Sequence, residues 1–587
     1  MMNGCRAIAI DYDGTLTSRE RPLEDVLVEL RCARTGGIKL LLVTGRILSD
    51  LLAVFPEARD YFDAIVAENG AVLWFETGGR RLGSPVSHEL EAALTARGLP
   101  TIRGEVLLAL DAVNDQVALE EIARLGLDCQ LVRNRAALMV LPAGISKGTG
   151  LSEALGELGV SYHNAIGIGD AENDHALLET CEIGVAVENA IPSLKAHADV
   201  VLSEPDGLGI AHFLRDALRG VWPRMVPVRW RVSIGTRPDG SSVTLPASGI
   251  NVLIAGATGS GKSYLAGLLA ERLVRLGYSI CVFDPEGDHT NLGSLRGLVT
   301  LGGKDGMPPV EQLGRLLKGR FGGEILDLSL LRPDERATYT ALALEHLQQL
   351  RKEIGTPHWI FLDEAHASLG VEALRVDAVH PSAKGFCLVT YHPSELCQEA
   401  LRETDVLFLL PQSEGLGRVL LSSHPNGATL GIEQTVSILH ALKRGEALML
   451  TLGRDPRAEV VVLGARRSPH VRHWHKYVHG YLAPRLHFLF RDDSGLTGRQ
   501  AANLEDFHRE LQLCPKNVLT HHASNGDFSR WISQALQDAH LASTVRALEK
   551  RSGGTDVETL RDGLLKVIDQ RYGDIDEAKP LDLRAQA

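Results

Sequence analysis

Short apolar runs recur along the chain, and each stops abruptly at a cluster of polar or glycine residues. Ala7-Ile8-Ala9-Ile10 runs into Asp11-Tyr12-Asp13-Gly14-Thr15-Leu16-Thr17, Lys39-Leu40-Leu41-Leu42-Val43 into Thr44-Gly45-Arg46, and Ala165-Ile166-Gly167-Ile168 into Gly169-Asp170. Runs bounded in this way predict strands buried on both faces of a parallel sheet, alternating with helices. The polar clusters then stand at the carboxyl ends of strands, where open α/β sheets bind ligands. The pattern returns in the middle of the chain. There Asn251-Val252-Leu253-Ile254-Ala255 precedes a glycine-rich loop, Ile280-Cys281-Val282-Phe283 ends in Asp284-Pro285-Glu286-Gly287-Asp288, and His358-Trp359-Ile360-Phe361-Leu362 ends in Asp363-Glu364-Ala365-His366. Between Asn69-Gly70 and Lys147 lies a unit with its own strands, Val106–Leu110 and Ala137–Leu141, and a helix from about Asn114 to Leu125.

Length turns this pattern into domains. A single hydrophobic core stops growing near ~250–300 residues, so 587 residues divide into roughly three or four units. The expected boundaries are 1–220 for the first α/β domain (insertion about 75–145), 221–250 for a connector, 251–465 for the second α/β domain, 466–552 for a small C-terminal domain and 553–587 for a frayed tail. A hydrophobic fraction of 44% and a charged fraction of 23% are those of a folded globular chain and exclude general disorder. The net charge of −13 argues against a surface coated with nucleic-acid-binding cations, but leaves a local basic channel open. The eight cysteines are scattered without a C-x-x-C pair and read as reduced thiols. Arg6, Asp11 and Asp13 interrupt the only candidate signal sequence, and no run approaches the ~18–20 apolar residues of a membrane helix. The expectation is a cytoplasmic protein with no membrane partner.

The strand-end residues carry the chemistry. Gly256-Ala257-Thr258-Gly259-Ser260-Gly261-Lys262-Ser263 between a strand and a helix is a P-loop. Its glycines let backbone N–H groups face phosphate oxygens, Lys262 reaches the β- and γ-phosphates, and Ser263 offers a hydroxyl to Mg²⁺. About a hundred residues on, Asp363 supplies a Mg²⁺-linked carboxylate and Glu364 a base for the attacking water. The cofactors expected from this half are ATP and Mg²⁺.

The order D-x-D-G-T, strand-terminal Thr, Lys and G-D-x-x-N-D, carried by Asp11–Thr15, Thr44, Lys147 and Gly169–Asp174, resembles the haloacid dehalogenase (HAD) superfamily of phosphohydrolases. The resemblance implies a Rossmann-like domain in which Asp11 forms an aspartyl-phosphate and Asp13 serves as acid and then base. It places Thr44 and Lys147 on the phosphoryl oxygens, and Mg²⁺ on Asp11, Asp13 and Asp170 with Asp174 in direct or indirect contact. The inserted unit is similar to the C2-type cap of the sugar-phosphatase-like branch, which implies a small phosphorylated substrate. In the second half, the D-P-x-G-(E/D) and D-E-A-H boxes and the strand Cys387-Leu388-Val389-Thr390 resemble HerA/FtsK-type, RecA-like ATPases. Members are typically ring-forming motors, and Thr390 stands where a γ-phosphate sensor is found. Tyr391 departs from the glutamine expected beside it. Arg402 and Arg418 are open between an arginine acting in a neighbouring subunit and a solvated surface charge.

The stretch from Arg466 to Tyr477 is the most basic and aromatic piece of the chain, and reads either as a phosphate-backbone contact or as an interdomain contact. The segment after it reads as small and helical, with Asp527 capping the helix that carries Phe528 and Trp531. The whole reads as a bifunctional hydrolase: a Mg²⁺-dependent phosphatase on a small phosphoester joined to an ATPase. Two other readings stay open, a DNA- or RNA-translocating or end-processing ATPase with an attached phosphatase, and an ATP-gated scaffold regulating the phosphatase. A homo-oligomeric ring is open with them.

Overall fold

A computed structural model describes residues 4–219, 227–257, 260–315, 317, 322–369, 384–411, 414–423, 432–452, 455–468, 478, 482, 486–536, 538–551 and 557–572. The first sheet starts with β1 (Ala7–Asp11), β2 (Lys39–Val43), β3 (Ala64–Ala67), β4 (Val72–Phe75) and β5 (Gly78–Arg81). The chain then leaves for the insertion, whose strands β6 (Ile102–Arg103), β7 (Leu108–Asp111), β8 (Cys129–Asn134) and β9 (Ala137–Pro142) form a separate antiparallel sheet with its own small core around Leu90, Leu108 and Val140. It returns through the helix Lys147–Glu157 to β10 (Ala165–Gly169), β11 (Ile183–Ala186) and β12 (Val200–Val201). The order is β12-β11-β10-β1-β2-β3-β4-β5, parallel as far as β3. All five residues of β1 are buried, as a central parallel strand with helices on both faces requires.

The segment expected as a connector carries strands. β13 (Arg231–Thr236) and β14 (Ser242–Pro246) join a second sheet with β15 (Val252–Ala255), β16 (Ile280–Asp284), β17 (Leu298–Gly302), β18 (Gly323–Asp327), β19 (Trp359–Leu362), β20 (Phe386–Thr390), β21 (Val406–Leu409), β22 (Glu446–Thr451) and β23 (Arg457–Leu463). β15 lies between β20 and β21, and β20 between β15 and β19, all parallel, so the P-loop strand, the Thr390 strand and the Asp363 strand end on one side. Apolar clusters cover both faces of this sheet.

The two sheets meet at the amino ends of their strands. Just before β10, His163 stacks on Tyr278 at 3.6 Å between ring centres, with Nδ1 2.6 Å from Glu182 and Nε2 2.9 Å from the Leu276 carbonyl. Tyr278 donates to Glu182 at 2.8 Å, and Asn164 Oδ1 lies 3.1 Å from His358 Nε2. These buried polar groups find partners across the junction, which makes separation costly. With amino ends joined, the carboxyl ends bearing Asp11 and the P-loop point away from each other.

The C-terminal residues build a third core around Phe488, Phe490, Phe507, Phe528 and Trp531. It contains a hairpin of two strands (Phe488–Asp492, Gly495–Ala501) besides its helices. Two expectations are corrected here. Part of the presumed tail is the helix Val557–Tyr572, whose Leu560, Leu564, Ile568 and Tyr572 fall on one face and pack into this core. Asp527 makes no cap: its carboxylate lies 2.7 Å from His522 Nδ1 and accepts from Arg530, while Gly526 precedes the helix in a left-handed conformation. Among the described residues, no helix is long and apolar enough to cross a membrane.

Candidate functional site

β1, β10 and the helix beginning at Lys147 bring the first site together. Ser146 caps that helix with a hydrogen bond from the Thr149 N–H, which fixes the backbone at Lys147. The Lys147 ammonium is 1% exposed and donates to Asp11 Oδ1 at 2.5 Å and to Asp174 Oδ1 at 2.7 Å. Asp174 Oδ2 accepts the backbone N–H groups of Asp170 and Ala171, both at 2.9 Å, so both of its oxygens are engaged by the protein. Thr15 donates to Asp170 Oδ1 at 2.9 Å. Thr44, fully buried at the end of β2, accepts the Arg46 N–H at 3.0 Å. Asp13 is partly exposed, and the Arg46 guanidinium grips both of its oxygens at 2.6–3.0 Å.

The electrostatics fit a bound divalent cation. Asp11, Asp170 and Asp174 are buried with ligand atoms within 4.8 Å of one another. Burial and the neighbouring Asp174 carboxylate hold Asp11 well above the ordinary carboxylate value despite Lys147, and the same two causes raise Asp170. Burial works against the Lys147 charge, but Asp11 and Asp174 outweigh it and hold the ammonium firmly protonated. Three buried carboxylates, with Lys147 on two of them and the Arg135 guanidinium on the third, keep an excess of negative charge, and oxygen donors of this kind suit Mg²⁺.

Three residues here were not singled out from the sequence as site residues. Arg46 holds Asp13. Glu68, just beyond β3, is fully buried and accepts the backbone N–H groups of Glu105, Val106 and Leu107 at 2.7–2.9 Å, tying the β6–β7 turn of the insertion to the end of β3. The signal for it was present, because Glu68-Asn69-Gly70 is another polar cluster at a strand end. Arg135, at the tip of the β8–β9 hairpin, reaches from the insertion to Asp170. Nothing in its sequence neighbourhood marks it.

At the second site, Gly256, Ser260 and Gly261 lead into the helix Lys262–Arg275, whereas Thr258 and Gly259 lie outside the described residues. Gly261 has φ +109°, a conformation that glycine permits. Lys262 Nζ donates to the Ala257 carbonyl at 3.2 Å and lies 5.6 Å from the centre of the Tyr391 ring, so the tyrosine that stands in place of glutamine packs against the P-loop lysine. Ser263 donates to Asp288 Oδ2 at 3.2 Å. Asp284, His289 and Asp363 form a buried cluster, with His289 Nε2 3.1 Å from Asp363 Oδ2. Burial pushes Asp284 up to about 7. Burial opposes a charge on His289, but the bond to Asp363 and the Asp284 charge raise it to about 9. Glu364 takes φ +49°, and His366 lies 3.5 Å from it and 3.1 Å from Thr390 Oγ1. His366 thus bridges the ends of β19 and β20.

Other candidates separate from these sites. Arg418 pairs with Glu433 at 2.5 Å on the surface, and Arg402 reaches Gln398 at 3.4 Å. In the basic stretch, the backbone of Arg467 and Ser468 is held by Glu271, while residues 469–477 lie outside the described residues.

Comparison with known proteins agrees with this geometry. A family model for haloacid dehalogenase-like hydrolases matches residues 120–214, one for the central domain of helicase HerA matches 236–344, and one for a family of unknown function matches 487–584. The chain is 32% identical to a phosphoglycolate phosphatase of Methanothermobacter thermautotrophicus, over 36% of this chain and 97% of that protein. It is 33% identical to a phosphoglycolate phosphatase of Archaeoglobus fulgidus, over 36% and 96%. A solved structure, Thermoplasma acidophilum 0175, is 18% identical with a TM-score of 0.33 and covers 37% of this chain and 98% of its own. With a relative of such identity matched over nearly its whole length, and with the strand-end carboxylates and lysine converging in one buried site, the chain belongs to the haloacid dehalogenase-like hydrolases.

Proposed function

We propose that the first domain is a Mg²⁺-dependent phosphatase acting through an aspartyl-phosphate on a small phosphorylated carboxylic acid, and that the second binds and hydrolyses ATP. The observation carrying the first half is the convergence of Asp11, Asp170, Asp174 and Lys147 in one buried cluster. The substrate class rests on the relatives named phosphoglycolate phosphatases and on a cap over the site: Met139 of β9 comes within contact distance of Gly45, at the strand end that carries Thr44.

In this reading Asp11 attacks phosphorus and the bond to the leaving oxygen breaks. Asp13, released by Arg46 and protonated from solvent as substrate enters, gives that oxygen its proton. Asp13 then takes a proton from water, whose oxygen displaces Asp11 and releases inorganic phosphate. Lys147 and Thr44 bind the phosphoryl oxygens, and Asp174 keeps Lys147 aligned. Mg²⁺, held by Asp11, the Asp13 carbonyl and Asp170, would supply further positive charge for the phosphoryl oxygens. In the second domain, the P-loop backbone and Lys262 take the phosphates, Ser263 and Asp363 would hold Mg²⁺, Glu364 orients water and Thr390 senses the γ-phosphate.

The test uses the full chain. Asp11→Asn should abolish phosphate release from phosphoglycolate and leave ATP hydrolysis, and Lys262→Ala should do the reverse. Because the sites face apart, phosphatase turnover should be the same with and without ATP. Loss of both activities in either variant would show the two-site reading to be wrong, and an ATP-dependent phosphatase rate would favour the gated scaffold.

A further inference from the structure

Arg135 is out of place on two counts. Asn134 and Ala137 are paired, so Arg135 and Ala136 form a two-residue hairpin turn, and Arg135 takes φ +52° there. Such turns favour glycine or asparagine at positive φ, and a long side chain in the left-handed region carries a backbone cost of roughly 1 kcal/mol. The side chain is also 57% exposed, yet its guanidinium crosses from the cap to the fully buried Asp170 carboxylate. A Cβ on Gly14 would lie 2.8 Å from Arg135 Nη2, which places the guanidinium directly over the loop after Asp11. Strained residues concentrate where a side chain is needed for function.

The phosphoryl group already has Lys147 and Thr44, both delivered by the main domain. A cation delivered by the cap faces the other part of the substrate. We propose that Arg135 is the specificity residue of the phosphatase and recognises a carboxylate on the leaving group, with Asp170 occupying that guanidinium until cation and substrate bind. A planar fork of N–H donors matches a carboxylate in two parallel hydrogen bonds, which neither a hydroxyl nor an ether can reproduce. The selected substrates are then phosphorylated hydroxy acids, with the acid group close to the phosphoester. This rests on the phosphatase reading above.

The experiment compares 2-phosphoglycolate with 2-hydroxyethyl phosphate, which differs in lacking the acid. Arg135→Gly is the variant of choice, because glycine suits the turn and the hairpin keeps its fold. The expected result is a fall of roughly 10- to 100-fold in the ratio of kcat/KM for the two esters, carried by KM, with Arg135→Lys recovering only part of it. Calorimetry with the Asp11→Asn chain should show the same loss of affinity for phosphoglycolate when Arg135→Gly is added. An unchanged ratio, or a wild-type protein that takes both esters equally, overturns the proposal and leaves the phosphatase intact. Turnover of neither ester by the wild type removes both together.

Discussion

Glu68→Ala is the perturbation whose consequence can be worked most directly from the structure. The Glu68 carboxylate is fully buried and takes three backbone N–H groups, from Glu105 at 2.7 Å, Val106 at 2.8 Å and Leu107 at 2.9 Å. No strand supplies partners for those three N–H groups, because β7 begins only at Leu108. Removing the carboxylate leaves these three donors without their acceptor, those of Val106 and Leu107 in buried backbone and that of Glu105 at a partly exposed position. At roughly 1–3 kcal/mol for each of the two buried donors, the local loss is about 2–6 kcal/mol. That loss falls on the β6–β7 turn of the cap, where it meets the end of β3. The assay is amide hydrogen exchange: the amides of Val106 and Leu107 should exchange at least ~30-fold faster than in the wild type. The amides of β15 and β16 in the second sheet should be unmoved. Glu68→Gln, which keeps one acceptor oxygen but turns an NH₂ toward a donor, should fall between. Wild-type protection at Val106 and Leu107 in Glu68→Ala would refute the reasoning, because it would mean that the carboxylate is not what satisfies these groups.

Two further predictions concern titration. Asp11 and Asp170 are held above the ordinary carboxylate value, so the metal-free site retains protons that a cation must displace, and Mg²⁺ affinity should rise with pH above the ordinary carboxylate range. Calorimetry in buffers of different ionisation enthalpy should show proton release, and heats independent of buffer would contradict it. His289 is raised from 6.5 to about 9, so the stability its pairing gives is complete below the lower value and is lost as pH climbs through the upper one. The stability gap between wild type and His289→Ala in denaturant should therefore be wide near pH ~6 and narrow near pH ~9.5; a gap independent of pH would mean that the histidine is not held charged.

Local pattern carried the strands and their polar ends. The runs ending at Asp11, Thr44, Asp170, Asp284, Asp363 and Thr390 are all strands in the structure, since a strand buried on both faces must be apolar throughout and can change character only where it leaves the sheet. Segments with a weaker signature form elements that their local pattern does not predict. The two strands at Arg231–Thr236 and Ser242–Pro246 lie toward one edge of the second sheet, with exposed residues interleaved, and their composition resembles a linker. The helix Val557–Tyr572 follows an uninformative stretch and has one apolar face, whose partner is visible only in the packed core.

The sequence by itself determined which polar residues stand at strand ends and helix starts as candidates, because a change from apolar to polar or glycine residues is fixed by spacing along the chain. Only the tertiary structure decided what those residues meet. Lys147 lies 136 positions from Asp11, and Arg135 lies 35 from Asp170 on a different sheet. Glu68 finds its partners in a backbone segment whose side chains are irrelevant to the contact. The opposed directions of the two sites depend on His163, Glu182 and Tyr278 meeting across the amino ends of two sheets. Hydrogen-bond partners across such distances are set by how the sheets pack, and periodicity along the chain reports only on the neighbours within one element.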